Sequence, residues 1–195
     1  MKAKDNNTEL LVLRWWQSMF LSPAELKLNN NFPAPTAHKA QLKRCESIDA
    51  VMLTEGFRAL WFTLPESFTE SAQPSDLECW ATIAAALVHV KSNSKNKLAT
   101  AAGSKGDASK GGGKSIVSEL RFAQLQGAKT PEDFLRRLRR ILQQIKGDVS
   151  VTALVNDIQQ WFSEHYALMP RKADKRIAVR WAMDYYQAAA MAAKK

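Results

Sequence analysis

The sequence predicts an all-α protein built as two packed helical bundles joined by a flexible basic linker. Three observations carry that reading. Apolar residues recur at helical spacing along most of the chain. Strand-like alternation is scarce. The one long stretch poor in large apolar side chains lies in the middle, over residues 91–115. Domains are therefore expected at 1–90 and 116–195, with 91–115 as a Lys/Gly/Ser-rich loop. A chain of 195 residues suits one domain or two small ones sharing an interface.

The elements follow in order. Leu10, Leu13, Trp16 and Phe20 define one side of a helix over about 9–20, with Thr8 as its cap. Trp15 stands next to Trp16, so one of the two indoles is expected to face outward, against a partner or a base. Pro23, the Asn29–Asn31 run, Pro33 and Pro35 then predict a loop. A short helix over about 38–45 exposes Lys39, Lys43 and Arg44. After a turn near Ser47, Phe57, Leu60, Trp61 and Leu64 form a helix that Pro65 stops. Ser75 and Glu78 read as a capping box, opening a nearly all-apolar helix to Val90 that should be central and buried. Residues 91–115 hold six Lys, five Gly and five Ser against one Asp, too little apolar surface to stay ordered alone. They are expected to be mobile, with a brief turn at 98–102. Helices resume near Ser115 with Leu120, Arg121, Phe122 and Leu125. The next has the clearest start signal, with Thr130 as cap, Pro131 at the first position and Glu132 and Asp133 at the positive end of the dipole. It should run to Lys146 and stop at Gly147. A helix over about 150–166 turns Leu154, Ile158, Trp161 and Phe162 inward, and the last, after Pro170, carries Ile177, Trp181 and Tyr185.

Charge separates the halves. Residues 1–90 hold 8 Lys/Arg against 10 Asp/Glu, whereas residues 91–195 hold 20 against 9, within a net charge of +9. A balanced half followed by a basic half points to a polyanion partner. Cys45 and Cys79 lie in apolar-periodic segments and read as two small buried thiols in a reducing compartment, with a disulfide between them left open by the sequence. The N-terminus has no signal-peptide apolar region, and the most apolar run, 81–90, is too short to span a bilayer. A cytoplasmic protein with no membrane association is expected.

The sharpest motif is the segment from Phe134 to Lys146. At about 100° per residue, Phe134, Leu135, Leu138, Ile141, Leu142 and Ile145 share roughly a third of the circle, and Arg136, Arg137, Arg139 and Arg140 fill the opposite arc. No acidic residue is read as neutralising this face from within the helix. Arginine presents a planar fork to phosphate, and each phosphate neutralised releases counterion. A second cluster, Arg171, Lys172, Lys175, Arg176 and Arg180, opens the last helix. Cations there oppose the helix dipole, so helix stability does not account for them. Lys39, Lys43 and Arg44 make a third, weaker cluster. Residues 108–115 spell A-S-K-G-G-G-K-S, a relaxed phosphate-loop pattern, but no buried strand precedes it and no apolar run ending in Asp follows. His38, His89 and His165 are scattered and no Cys or His spacing suits a metal. A Cys45–His dyad has no local support. No catalytic site, metal or cofactor is expected.

In several segments the chain resembles the small subunit of the type I-E CRISPR Cascade complex, the CasB family. Leu120-Arg121-Phe122 followed by Leu125 is similar to that family's Arg-Phe-x-x-Leu segment, and Leu138-Arg139-Arg140-Ile141-Leu142 to its Leu-Arg-Arg helix. Leu154, Asp157-Ile158, Trp161, Trp181 and Tyr185-Tyr186 follow at the family's spacing. Leu42-Lys43-Arg44 and Trp16 add to this in the first half. The resemblance implies an all-α, non-catalytic protein. Its partners would be the crRNA-backbone subunits, the large subunit, a second copy of itself, crRNA and target DNA. It would stabilise the R-loop and displaced strand. By matching position it implies that Lys43, Arg44, Arg121, Arg139 and Arg140 contact backbone, with Lys172 and Arg176 beside them. Two departures stand out: residue 43 is Lys where the element usually has Arg, and 91–115 is longer and more basic than the family's compact connection, of which Leu98–Gly103 is a remnant. Two rival readings remain: an RNA-binding or ribosome-associated helical protein outside CRISPR systems, and a small enzyme using the Gly-Lys-Ser loop.

Overall fold

Local capping signals and apolar periodicity place twelve α-helices and one short parallel strand pair among the described residues. The structure, a computed structural model, describes residues 6–106 and 114–191. The chain divides into two compact units between His89 and Val90.

In the first unit, α1 (Asn6–Phe20) starts three residues before the expected position. Its inward face is also rotated: Val12, Trp15 and Trp16 are buried, whereas Leu10 is 51% exposed. Neither indole faces outward. The Trp15 Nε1 donates to the Gly56 carbonyl at 3.1 Å, which gives the second indole a place inside. The expected loop after α1 contains a helix, α2 (Pro23–Leu28). Ser22 Oγ accepts from the Glu25 amide while the Glu25 carboxylate accepts from the Ser22 amide, and Pro23 sits at the first helical position. The Arg14 guanidinium then donates to the Asn30 carbonyl and the Asn31 amide to the Arg14 carbonyl, folding the segment back onto α1.

Next come α3 (Thr36–Arg44), α4 (Ile48–Met52), α5 (Glu55–Trp61) and α6 (Glu66–Thr69). Ser47 and Thr54 cap α4 and α5 with their hydroxyls. A Cβ on Gly56 would stand 2.8 Å from the Leu42 side chain, so α5 approaches α3 closely there. All these helices serve α7 (Pro74–Leu87), which packs against α3, α4 and α5. Every residue of α7 from Cys79 onward is buried, as its all-round apolarity predicts. Its cap, Gln73, lies two residues before the expected one: Pro74 takes the first position and the Asp76 carboxylate, not Glu78, accepts from the Gln73 amide at 2.9 Å.

The second unit begins where a loose linker was expected. Residues 92–93 (β1) pair in parallel with residues 148–149 (β2). The Asp148 carboxylate accepts from Ser92 Oγ at 2.7 Å and Asn96 Nδ2 at 3.0 Å, and these bonds lower its pKa. α8 (Leu98–Gly103) is buried over most of its length and packs on α12 (Ile177–Met191). A Cβ on Gly103 would lie 2.2 Å from the Tyr185 carbonyl oxygen, so only glycine permits that crossing. α8 is thus part of a core rather than of a mobile arm, because Leu98, Ala99, Ala101 and Ala102 find a helix to bury against. The A-S-K-G-G-G-K-S motif lies mostly outside the described residues.

Around α8 and α12 stand α9 (Glu119–Gln126), α10 (Pro131–Gln144) and α11 (Val151–His165). Thr130 caps α10 as expected, its hydroxyl accepting from the Asp133 amide. Lys146 and Gly147 turn through positive φ, 57° and 69°, and the Gly147 amide closes the end on the Leu142 carbonyl at 2.8 Å. The core is aromatic. Phe134 stacks on Trp161 at 4.2 Å between centroids and Phe122 on Tyr185 at 4.7 Å.

Candidate nucleic-acid interface

α10 presents the predicted division of faces. Phe134, Leu135, Leu138, Ile141, Leu142 and Ile145 are all buried. The arginines opposite them are not equivalent. Asp133, read from sequence as a dipole residue, lies one turn before two of them and pairs with both. Arg137 Nε donates to one carboxylate oxygen at 2.7 Å and the exposed Arg136 to the other. Those two bonds hold the Asp133 carboxyl below its usual range. The expectation of an unneutralised four-arginine face is thereby corrected, since α10 carries its own counter-charge at i−3 and i−4. Arg139 is half-buried and Arg140 exposed. On the neighbouring α9, Arg121 is exposed, while Phe122 and Leu125 of the same helix are buried. Arg121 and Arg140 pair with no carboxylate among the described residues.

The second cluster is also partly tied down. A 3-10 turn at Ala173–Lys175 precedes α12. Asp157, Gln160 and Glu164 recur along one flank of α11 and meet this segment. Glu164 accepts from the Ile177 amide with both oxygens, at 2.9 and 3.1 Å, so a carboxylate supplies the negative charge at the positive end of α12. Arg171 donates to Ser163 Oγ at 3.2 Å and lies 3.9 Å from Glu164. Arg180 donates to Gln160 Oε1 and lies 3.7 Å from Asp157. Arg176 Nε donates to the Arg171 carbonyl at 3.0 Å. The exposed Lys175 ammonium lies 3.5 Å from Asp174, and Lys172 is exposed. Part of this cluster therefore builds the junction between α11 and α12. The sequence signal that was missed is the polar series at 157, 160 and 164, spaced i, i+3, i+7.

Asp157 is the unusual member. It is only 6% exposed, accepts from Trp181 Nε1 at 2.9 Å, and burial pushes its carboxyl up to about 6 against the pull of Trp181 and Arg180.

In the first unit, Lys43 and Arg44 are exposed in the last turn of α3, where cations also suit the helix dipole. Lys39 departs from expectation. Its Nζ lies 3.6 Å over the Phe20 ring and 3.5 Å from the Met19 carbonyl. Burial, with the Lys43 charge, lowers its pKa. Lys39 therefore ties α3 to α1. Cys45 and Cys79 are free thiols, and burial pushes the Cys79 thiol up. Among the described residues no His/Cys/Asp/Glu group could hold a metal ion, and no helix is long and apolar enough to cross a membrane.

The family model for CRISPR-associated protein Cse2 matches residues 38–186, about three quarters of the chain. The match runs through α8, the short strands and the whole 91–115 segment, as well as both outer basic clusters. No curated protein and no solved structure matches the chain. The all-α architecture, the order of the arginine and tryptophan elements and this match agree: the chain belongs to the CRISPR-associated protein Cse2 family, the CasB small subunits of the type I-E Cascade complex.

Proposed function

We propose that this chain is a non-catalytic subunit that grips nucleic-acid backbone within Cascade, stabilising the crRNA–target R-loop and the displaced strand during antiviral defence. The observation that carries the reading is the pair of exposed arginines, Arg121 on α9 and Arg140 on α10, in a unit with an excess of cations. Arg139 belongs to the same face. Lys43 and Arg44 on α3, and Lys172, Lys175 and Arg176 before α12, extend the set. Backbone contacts carry little sequence information, which suits a subunit that must accept any target. R-loop formation is nearly balanced energetically, so a few such contacts can tip it. Its partners would be the crRNA-backbone subunits, the large subunit and a second copy.

The test is Arg121→Ala with Arg140→Ala. The double variant should weaken binding equally across target sequences. If both side chains contact duplex phosphates, the slope of log K against log salt should flatten by about 1.8. An unchanged R-loop lifetime and salt slope would remove these residues from the interface. A preference of the free chain for structured RNA, with no association with a guide-RNA complex, would favour an RNA-binding role outside CRISPR systems.

A further inference from the structure

The segment that joins α11 to α12 has a feature that backbone binding does not use. Its tip is apolar and exposed. Leu168 is 100% exposed, Met169 79% and Tyr166 48%. Folding gains nothing from a leucine in open water, and a cluster of such side chains marks a binding surface. Four cations follow within seven residues: Arg171, Lys172, Lys175 and Arg176.

The tip stands on an aromatic column. Phe134 stacks on Trp161 at 4.2 Å and 13°, and Trp161 stacks on His165 at 4.8 Å and 10°. The column starts in the core and ends at an exposed imidazole in the last turn of α11. Tyr166 meets His165 at 78°, its centroid 4.8 Å away, and leans on Phe162. Both ends of the tip are fastened to α11. The Tyr166 amide donates to the Phe162 carbonyl, Arg171 to Ser163 Oγ, and Gln160 Nε2 to the Lys175 carbonyl at 2.8 Å.

We propose that His165, Tyr166, Leu168 and Met169 form a stacking platform for unpaired bases of a single-stranded nucleic acid, with Lys172, Lys175 and Arg176 on its phosphates. The inference rests on the backbone-binding reading above and adds base contact to it. A base has a π-face whatever its identity, so such a platform tolerates any sequence. A duplex hides those faces in its own stack, so the platform distinguishes unpaired from paired strands. The charge on the flank selects a polyanion over an apolar protein surface, for which exposed lysines beside the contact would be a desolvation penalty.

The experiment uses the full chain, a mixed-sequence single-stranded oligonucleotide carrying 2-aminopurine, and a duplex of equal length. The variants are Leu168→Ser with Met169→Ser, at exposed positions with no fold to lose, and His165→Ala with His165→Phe as its rescue. Circular dichroism and Tm establish that each is folded. The platform predicts a loss of about tenfold or more in single-strand affinity for the first two. Duplex affinity and the salt slope should stay as in the parent, 2-aminopurine emission should change less on binding, and His165→Phe should recover affinity. Parent-like single-strand affinity in both variants would overturn the platform, as would an equal loss on single strand and duplex. So would variants that keep single-strand affinity but fail to enter the assembled complex, which would make the tip a protein contact. Lys172→Ala with Lys175→Ala serves as a separate arm. If that variant leaves affinity and salt slope unchanged, the backbone contact at this cluster fails, whatever the platform does.

Discussion

Asp157 and Gly103 show how much one residue can hold in a small core. The Asp157 carboxyl is raised to about 6 from an ordinary 3.8, so the folded state binds its proton more tightly than the unfolded chain. Stability therefore falls as pH rises from about 4 to about 6, by an amount on the order of 3 kcal/mol, and stays at the lower level above that. Asp157→Asn keeps an acceptor for the Trp181 indole and removes the charge. It should flatten that part of the pH–stability profile, as urea midpoints at pH 5 and pH 7.5 will record. Asp157→Ala orphans the indole N–H and should instead destabilise by about 1–3 kcal/mol. Gly103 tolerates no side chain because the Tyr185 carbonyl occupies the Cβ position. Gly103→Ala should cost about 3 kcal/mol as α8 is forced from α12, measured as a lower urea midpoint.

A helix read alone gives its two faces but not the state of its charges, and α10 is the case in point. Periodicity identified every buried residue of that helix. It also assigned Asp133 to the dipole, when the same side chain reaches forward to Arg136 and Arg137. Asp133→Asn should release both guanidinium groups. Polyanion binding should tighten and its salt dependence steepen, while the loss of two partly exposed pairs lowers stability by less than about 1 kcal/mol. Filter binding across a salt series, with a melting curve beside it, measures both. The missed helix α2 has a different lesson. Ser22-Pro23-Ala24-Glu25 is a complete start signal, but the prolines and asparagines around it outweighed it.

For the whole molecule, the boundary between units matters more than the glycine-rich stretch. A fragment starting at Val90 keeps β1, α8 and the Tyr185 crossing, whereas one starting at Ile116 loses all three. The first should retain helical circular dichroism and the blue-shifted emission of Trp161 and Trp181. The second should bind hydrophobic dyes and melt without a cooperative transition, because one side of α12 is left uncovered. Equal behaviour of the two fragments would show that α8 adds nothing to the core.

The sequence by itself determined the all-α class, the burial of α7, the cap of α10 and the arginine–aromatic order that places the chain in its family. Those are local properties: period, cap chemistry and residue order need no partner to be read. Tertiary structure decided what depends on a neighbour distant in sequence. It turned Trp15 inward beside the buried Trp16, because Gly56 supplies an acceptor for the Trp15 indole. It drew Lys39 onto Phe20 and set Arg171 and Arg180 against α11. It made a core helix of Leu98–Gly103, whose alanines look too small to order a chain until α12 lies against them. A basic residue in a sequence is only a charge. Whether it faces solvent or a carboxylate is settled by the surface on which folding leaves it.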